Sequence, residues 1–474
     1  MPQNEREYRI LDKDLGRVTH AEHAALASAR PMVRLGLALV FIAAAAEFAA
    51  AALAGQPALG IMAASVAVAI YLALSIGAND VSNALSPAVG SGAISLGVGL
   101  VLVALMDVLG AVMAGGAVTR TLTEGLMGDT MGQGTPTAKM MLAALVGAAT
   151  WISVATRLNA PVSTTHSVVG AIAGAGIATF GFGAVNWGAM AIIAMGWVVS
   201  PIISGLLAAL ILSSMHHHVL DKDDPIPSGR RWLTALVAAT AGLLVAMAAV
   251  AFQDLGWRIV ALLGLLGAGL GAAYAHVMLG RQIRRDAGQK TALKNLLGVP
   301  LVAAALVMGF GHGANDTSNI AAPLTIILQN ISDGQSPLLD AQMILLLSGM
   351  GIAVGILLFG SRLVSMVGSR ITRLNPARAL CISLATALTV LAFSLAGLPV
   401  STTHVSVGGV FGVGFYREWR DRQKARKRAP MPDEELRRRH LVRRSHVRTI
   451  LGAWLITVPV NAALAAALVL GLGL

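Results

Sequence analysis

Charged residues are scarce in this chain. Only 12% of its 474 residues are Asp, Glu, Lys or Arg, against about 25% in a typical soluble domain. The charges gather in a few short stretches, and the sequence between them is long and apolar. This distribution excludes an ordinary soluble domain. It predicts an all-α polytopic membrane protein, because helices satisfy their own backbone hydrogen bonds across lipid.

Cysteine and nucleotide-binding motifs are also missing or nearly so. The single cysteine, Cys381, excludes a disulfide within the chain and a metal site built from several cysteines. The chain has no Walker motif, which argues against ATP-driven transport. We therefore expect neither an enzyme nor an organic cofactor.

The net charge of +12 comes from loops. Lys and Arg dominate 280–295, 362–378 and 417–448, and the last of these holds 13 basic residues against 5 acids. Basic loops of membrane proteins lie in the cytoplasm, so the charge indicates a lipid bilayer as partner and no nucleic acid. We expect a multi-pass protein of the inner (cytoplasmic) membrane with its N-terminus in the cytoplasm.

Counting apolar segments outward from the basic loops predicts about 12–13 membrane segments and five regions. These are a cytoplasmic extension (1–30), an extra transmembrane helix (31–56), a first transport repeat (57–212), connecting helices and loops (213–295) and a second transport repeat (296–474), which contains the basic cytoplasmic loop 417–448.

The repeats are recognised by two motifs that each occur twice. Gly-Ala-Asn-Asp stands at 77–80 and again at 313–316, and Pro-Val-Ser-Thr-Thr-His stands at 161–166 and again at 399–404. The two motifs lie 84 positions apart in the first copy and 86 in the second. The loop charges place the copies in opposite orientations across the membrane. Inverted repeats with interrupted helices and re-entrant segments are typical of secondary transporters, whose substrates bind near the midplane.

The second motif predicts an oxyanion site. Pro161 and Pro399 should break one helix and begin the next, leaving the following hydroxyls at a half-helix N-terminus, where backbone N–H groups and the helix dipole favour an anion. For a single hydroxyl, an equally good reading is packing between helices. The predicted substrate-binding residues are Ser163, Thr164, Thr165, Ser401, Thr402, Thr403, Asn79 and Asn315.

The first motif predicts a site for a coupling cation or proton. A buried carboxylate costs at least about 2.5 kcal/mol in a membrane unless it has a partner. We expect Gly77 and Gly313 to let the backbone unwind there. The predicted coupling residues are Asp80, Asp316, Asn83, Asn319 and Asp107, and the oxygens of Asn79, Asp80, Asn315 and Asp316 suit Na⁺.

These four motif copies resemble the inorganic phosphate transporter (PiT) family, from about residue 60 to the C-terminus. The resemblance implies symport of inorganic phosphate with Na⁺ or H⁺. It further implies cation and phosphate binding by Asn79, Asp80, Asn315 and Asp316, and phosphate binding by the Ser and Thr hydroxyls of the second motif. Where many members carry Glu, Asp107 stands here, and where some carry another Glu the chain reads Cys381-Ile382-Ser383-Leu384.

Three alternatives stay open at this point. The family includes sulfate permeases, so sulfate or another tetrahedral oxyanion is an alternative substrate. A passive anion channel is a third reading, although paired intramembrane acids favour coupling. A homodimer is an open option for the assembly.

Overall fold

The computed structural model describes residues 29–53, 55, 59–127, 134–157, 162–250, 255–286, 293–331, 339–371, 375–425 and 444–471. The described residues form helices joined by short turns and irregular segments, with one isolated bridge between Met127 and Val185. Within them, ten helices are long and apolar enough to cross a membrane, and Leu455–Gly471 adds a shorter apolar helix. The expectation of an all-helical polytopic membrane fold is confirmed.

In the described residues of the first half, seven α-helices and a π-helical turn precede the connecting helices. They are α1 (Ala29–Ala52), α2 (Leu59–Gly90), α3 (Leu96–Ala114), α4 (Gly116–Arg120), the π-helix Thr121–Gly125, α5 (Thr135–Arg157), α6 (Thr164–Phe180) and α7 (Trp187–Met215). A second π-helical turn, His216–Leu220, extends α7.

Two long helices join this half to the second. They are α8 (Pro225–Val250) and α9 (Trp257–Arg285), which pack on each other as a hairpin. The second half contains α10 (Leu293–Leu296), α11 (Gly298–Asp316), α12 (Ser318–Ile331), α13 (Ala341–Ile371), α14 (Pro376–Leu395), α15 (Thr402–Ala425) and α16 (Arg444–Gly471).

Each half packs its helices on the other half, and the contacts are exchanged between corresponding elements. Helix α2 packs on α13 while α11 packs on α3, and α6 packs on α16 while α15 packs on α7. Each of these four contacts therefore joins a helix of the first half to a helix of the second half.

The closest helix approaches follow the same exchange and occur at glycines. A Cβ on Gly110 of α3 would overlap the backbone of Phe310 on α11, and a Cβ on Gly355 of α13 would overlap that of Leu74 on α2. Phe310 and Leu74 each lie three residues before the Gly-Ala-Asn-Asp glycine of their helix. The two contacts are therefore equivalent, and small residues let the backbones meet.

The two motif glycines have a different role from the predicted one. Gly77 lies inside the continuous helix α2, and Gly313 lies inside α11, so neither unwinds the backbone. A Cβ on Gly77 would overlap the carbonyl of Ile352, and one on Gly313 would overlap the carbonyl of Asp107. The prediction of unwinding was wrong, because these glycines serve close helix packing. The interruption lies at Thr317, between α11 and α12.

The second motif does break the helical path, but the helix begins later than predicted. Helix α15 starts at Thr402, and Pro399 lies in the irregular segment before it rather than in its first turn. Helix α6 starts at Thr164, with Ser163 as its N-cap in an extended conformation. Pro161 lies outside the described residues. The hydroxyl residues therefore do stand at half-helix N-termini.

Basic side chains collect at one end of the bundle. There, Arg420 in the last turns of α15 forms an ion pair with Asp221, in which one guanidinium nitrogen, Nη2, lies 2.6 Å from each carboxylate oxygen. Arg230 of α8 contacts His276 of α9 at 2.9 Å. Residues 1–28 of the predicted extension and 426–443 of the predicted basic loop lie outside the described residues.

Candidate functional site

The N-terminal ends of α6 and α15 meet in the interior. Thr165 in the first turn of α6 donates a hydrogen bond from its hydroxyl to the carbonyl of Val400, in the segment before α15, at 3.1 Å. The rings of His166 and His404 lie 4.5 Å apart between centroids. Trp197 of α7 packs on His166 and donates from Nε1 to the carbonyl of Pro399 at 3.1 Å. The two copies of the second motif thus form one centre.

The serines of this motif act as helix caps. Ser163 Oγ accepts a hydrogen bond from the backbone N–H of His166 at 3.2 Å, and Ser401 Oγ accepts from that of His404 at 3.3 Å. Capping sets where each half-helix begins. Thr402, the first residue of α15, is buried at the same end.

Asp80 lies against hydroxyls from both half-helices. Its carboxylate accepts from Thr164 of α6 at 3.4 Å and from Thr403 of α15 at 3.5 Å. Asn83, one turn along α2, donates to the Thr403 hydroxyl at 3.3 Å. Asp80 is only 5% exposed, so these contacts bring the first motif and both copies of the second motif together in a buried setting.

The second Gly-Ala-Asn-Asp copy makes the corresponding contacts from the other side. Asn319 donates to the Thr165 hydroxyl at 3.4 Å, which mirrors the contact of Asn83 with Thr403. The Oδ1 atom of Asn319 is buried and has no hydrogen-bond partner among the described residues.

The two motif asparagines contact different neighbouring elements. Asn79 donates to Thr156 of α5 at 2.7 Å. Asn315, with its amide oriented so that both ends have partners, accepts from Ser394 of α14 at 3.1 Å and donates to Val400 O at 2.8 Å and to Asp316 Oδ1 at 3.1 Å. Asn315 therefore reaches the centre directly, whereas Asn79 is directed toward α5.

Sequence reasoning missed one residue of the site, His312. Its Nδ1 lies 2.5 Å from Asp107 Oδ1, and its Nε2 lies 3.1 Å from Asp316 Oδ2 and 4.0 Å from Asp80 Oδ2. All four side chains are buried. The available signal was an ionisable residue in an apolar segment, one position before a motif glycine. Asp107, which the sequence predicts as a coupling residue, has His312 as its partner.

This polar pair has an apolar equivalent in the other half. Ile76 precedes Gly77 as His312 precedes Gly313, and Ile352 stands three residues before Gly355 as Asp107 stands three before Gly110. Ile76 and Ile352 are both fully buried. The exchanged helix contacts thus carry Asp107–His312 on one side and two isoleucines on the other.

The donor set fits both an anion and a hard cation. Ligand atoms of Asp80, His312 and Asp316 all lie within 4.8 Å of one another, and carboxylate oxygens suit Na⁺-like cations. The unpartnered Oδ1 of Asn319 adds an acceptor. Free N–H groups in the first turns of α6 and α15 favour an oxyanion. The two chemistries lie side by side.

Comparison with known proteins gives the same family as the motifs. The model of the phosphate transporter family (PHO4) matches residues 76–465. A Helicobacter pylori (strain J99) protein named "Putative phosphate permease" is 34% identical, with 85% of this chain and 88% of that protein covered. The inorganic phosphate transporter 2-1, chloroplastic, of Arabidopsis thaliana is 31% identical, with 83% and 69% covered.

A solved structure agrees in fold. It is titled "The sodium-dependent phosphate transporter", and it matches with a TM-score of 0.77 and 29% identity over 87% of this chain and 99% of that chain. The family match covers both copies of each motif. The chain therefore belongs to the phosphate transporter family.

Proposed function

We propose that this protein is a secondary active transporter that couples the uptake of inorganic phosphate to a cation across the cytoplasmic membrane. The observation that carries the proposal is the convergence on one buried centre of two half-helix N-termini and the motif carboxylates. In this arrangement an anion and a cation bind as neighbours and stabilise each other, which is the physical basis of symport.

Phosphate binds at the first turns of α6 and α15. Thr164, Thr165 and Thr403 lie there, and backbone N–H groups add donors without side-chain charge. Asn315 donates toward the same segment. The carboxylate of Asp80, held between Thr164 and Thr403, favours binding of phosphate over sulfate. Hydrogen phosphate carries a proton that it can donate to this carboxylate, whereas sulfate carries none.

The coupling cation binds at the carboxylates of Asp80 and Asp316. Asn83 donates a hydrogen bond to the Thr403 hydroxyl, and Asn319 donates one to the Thr165 hydroxyl. The two asparagines therefore position the hydroxyl oxygens beside the cation site. The related structure is named for sodium dependence, which supports Na⁺ as the coupling ion, with H⁺ as the alternative.

Alternating access follows from movement of one repeat against the other. The exchanged packing of α2 on α13 and of α11 on α3, together with the basic residues at one end, supports two repeats of inverted topology with the basic end in the cytoplasm.

The proposal is tested by labelled phosphate uptake into proteoliposomes under an imposed Na⁺ gradient, a proton gradient, or neither. Asp80→Asn and Asp316→Asn should each abolish gradient-driven uptake while the protein still inserts. Glu47→Gln is the matched control, since Glu47 is an exposed acid on α1, outside both repeats. Wild-type uptake by both aspartate variants would refute the site.

Two other outcomes point to the alternatives. If excess sulfate inhibited labelled phosphate uptake as strongly as excess unlabelled phosphate does, the protein would be a general oxyanion permease. Phosphate flux that does not depend on any gradient would indicate a passive channel.

A further inference from the structure

A cavity of about 540 Å³ lies at the end of the bundle opposite the basic loops. It is lined by the C-terminal end of α3, by α4 and the π-helix, by the last residue of α8, by α12, by the start of α13 and by the last residue of α14. Both halves of the protein contribute to its wall. Its volume exceeds what one phosphate ion fills, so an ion and several waters fit together.

The mouth of the cavity carries charge. Arg120 is the basic residue among those that line it, and its side chain is 67% exposed. Its neighbour Glu124 is 73% exposed, and their closest atoms are 4.0 Å apart. An exposed pair at that distance is weak, so the guanidinium can exchange this partner for a tetrahedral oxyanion, which it matches with two parallel N–H donors.

Two amides widen this donor set. Gln329 of α12 and Gln342 of α13 line the same cavity and are exposed within it. The threonines on the α4 side contribute little as donors, because Thr119 and Thr123 already donate to backbone carbonyls. The hydrogen-bond donors offered to an anion are therefore the guanidinium and the two amides.

One wall of the cavity is formed by the end of α14, four residues before the second motif begins at Pro399. Leu395 lines it, and the neighbouring Ser394 is the hydroxyl partner of Asn315. Gly397 has a φ of +71° and lies so close to α4 and the π-helix that an added Cβ would meet Thr121 Oγ1 at 3.0 Å. The π-helical turn thus rests on the segment leading to Pro399. Such turns occur often at functional sites.

We propose that this cavity is an entry vestibule in which Arg120, with Gln329 and Gln342, captures the oxyanion before it passes beneath the π-helix to the motif centre. This inference rests on the proposed function, and it adds to that function a first, weaker anion-binding site on the outer side of the protein. Charge at an entrance raises the local concentration and association rate of an oppositely charged substrate.

The test is the initial rate of labelled phosphate uptake, as a function of external phosphate, in bacterial cells that lack other phosphate transporters. Arg120→Gln should raise KM for phosphate by about two- to five-fold, as expected for loss of one exposed charge, and leave the maximal rate unchanged. Arg120→Lys should restore most of the loss, and Glu124→Gln should lower KM.

Salt and a matched control separate capture from a structural effect. The difference between wild type and Arg120→Gln should shrink as ionic strength rises above about 0.1 M, where the Debye length falls below about 10 Å. Arg258→Gln is the control, since Arg258 lies in the first turn of α9, outside the cavity, against the Trp257 ring. Its KM should equal that of the wild type.

The possible results divide clearly. A KM for Arg120→Gln equal to that of Arg258→Gln, or a loss confined to the maximal rate, overturns the vestibule and leaves the proposed transport function standing. Absence of gradient-driven phosphate uptake by the wild-type protein overturns both.

Discussion

Replacing His312 alone should destabilise the protein more than replacing His312 and Asp107 together. Asp107 is fully buried, and its Oδ2 atom has no hydrogen-bond partner among the described residues. Its Oδ1 depends on His312 Nδ1. The variant His312→Ile therefore leaves a buried carboxylate without a partner.

The expected costs differ because Asp107 depends on His312 as its partner, whereas His312 also has Asp316 beside it. Breaking a buried charged pair by removing one member costs about 3–5 kcal/mol, which we expect for His312→Ile. Asp107→Val leaves His312 beside Asp316 at 3.1 Å, so we expect a smaller cost of about 1–3 kcal/mol. The double variant contains no unpaired Asp107 carboxylate, and it should be at least about 1 kcal/mol more stable than His312→Ile.

The equivalent contact in the other half shows that an apolar pair packs at this place in the fold. Ile76 and Ile352 are both fully buried there. Valine at position 107 is preferred to isoleucine in the test, because a side chain much larger than Asp would overpack the contact with α11 at a cost of about 1–3 kcal/mol.

The measurement is the free energy of unfolding in mixed micelles during SDS titration, followed by tryptophan fluorescence, for the wild type, both single variants and the double variant. Ile76→Val with Ile352→Val is the control cycle, in which each change should cost about 0.5–1.5 kcal/mol without rescue in the double variant. A double variant less stable than His312→Ile would refute the pairing of Asp107 with His312.

Two further predictions concern the threonines and the close helix contacts. Thr403→Val removes the hydroxyl that contacts both Asp80 and Asn83. It should raise KM for phosphate or the coupling cation by about five- to ten-fold, the equivalent of about 1 kcal/mol. The control Thr240→Val, on α8, should leave transport kinetics unchanged, and equal kinetics of the two variants would argue against a role for the Thr403 hydroxyl. Gly110→Ala should destabilise the protein strongly, since its Cβ would overlap the Phe310 backbone. A Cβ on Gly269 meets open space, so Gly269→Ala should stabilise α9 by up to about 1 kcal/mol. Thermal unfolding in detergent compares the two variants, and similar unfolding midpoints would contradict the close contact between Gly110 and Phe310.

Much of the buried centre was predictable from the sequence because each of its motifs occurs there in two copies. Duplicate motifs in apolar sequence identified Asp80, Asp316 and the threonines, and the break before the Thr-Thr-His run follows from proline chemistry. The contacts of Asn83 with Thr403 and of Asn319 with Thr165 required the folded structure, since each joins residues from different halves of the chain.

The errors have the same origin as the success. Comparing the copies emphasises what they share, so His312, which replaces Ile76, was overlooked. The motif glycines were interpreted locally, as sites of backbone freedom, because the sequence does not say which helix packs against them. The structure places the Ile352 and Asp107 carbonyls there, and close packing then explains why both positions are glycine.

The difference between the two halves has a consequence for the proposed cation site. The His312 ring lies 3.1 Å from Asp316 but 4.0 Å from Asp80, so a cation entering between the carboxylates competes with the ring for Asp316 more than for Asp80. Asp80 instead accepts two long hydrogen bonds from hydroxyls, at 3.4 and 3.5 Å. Because these hydrogen bonds are weak, a cation that replaces them costs the protein little free energy. We therefore expect the coupling cation to bind first at Asp80, while His312 holds Asp316 from one turn earlier on the same helix, α11.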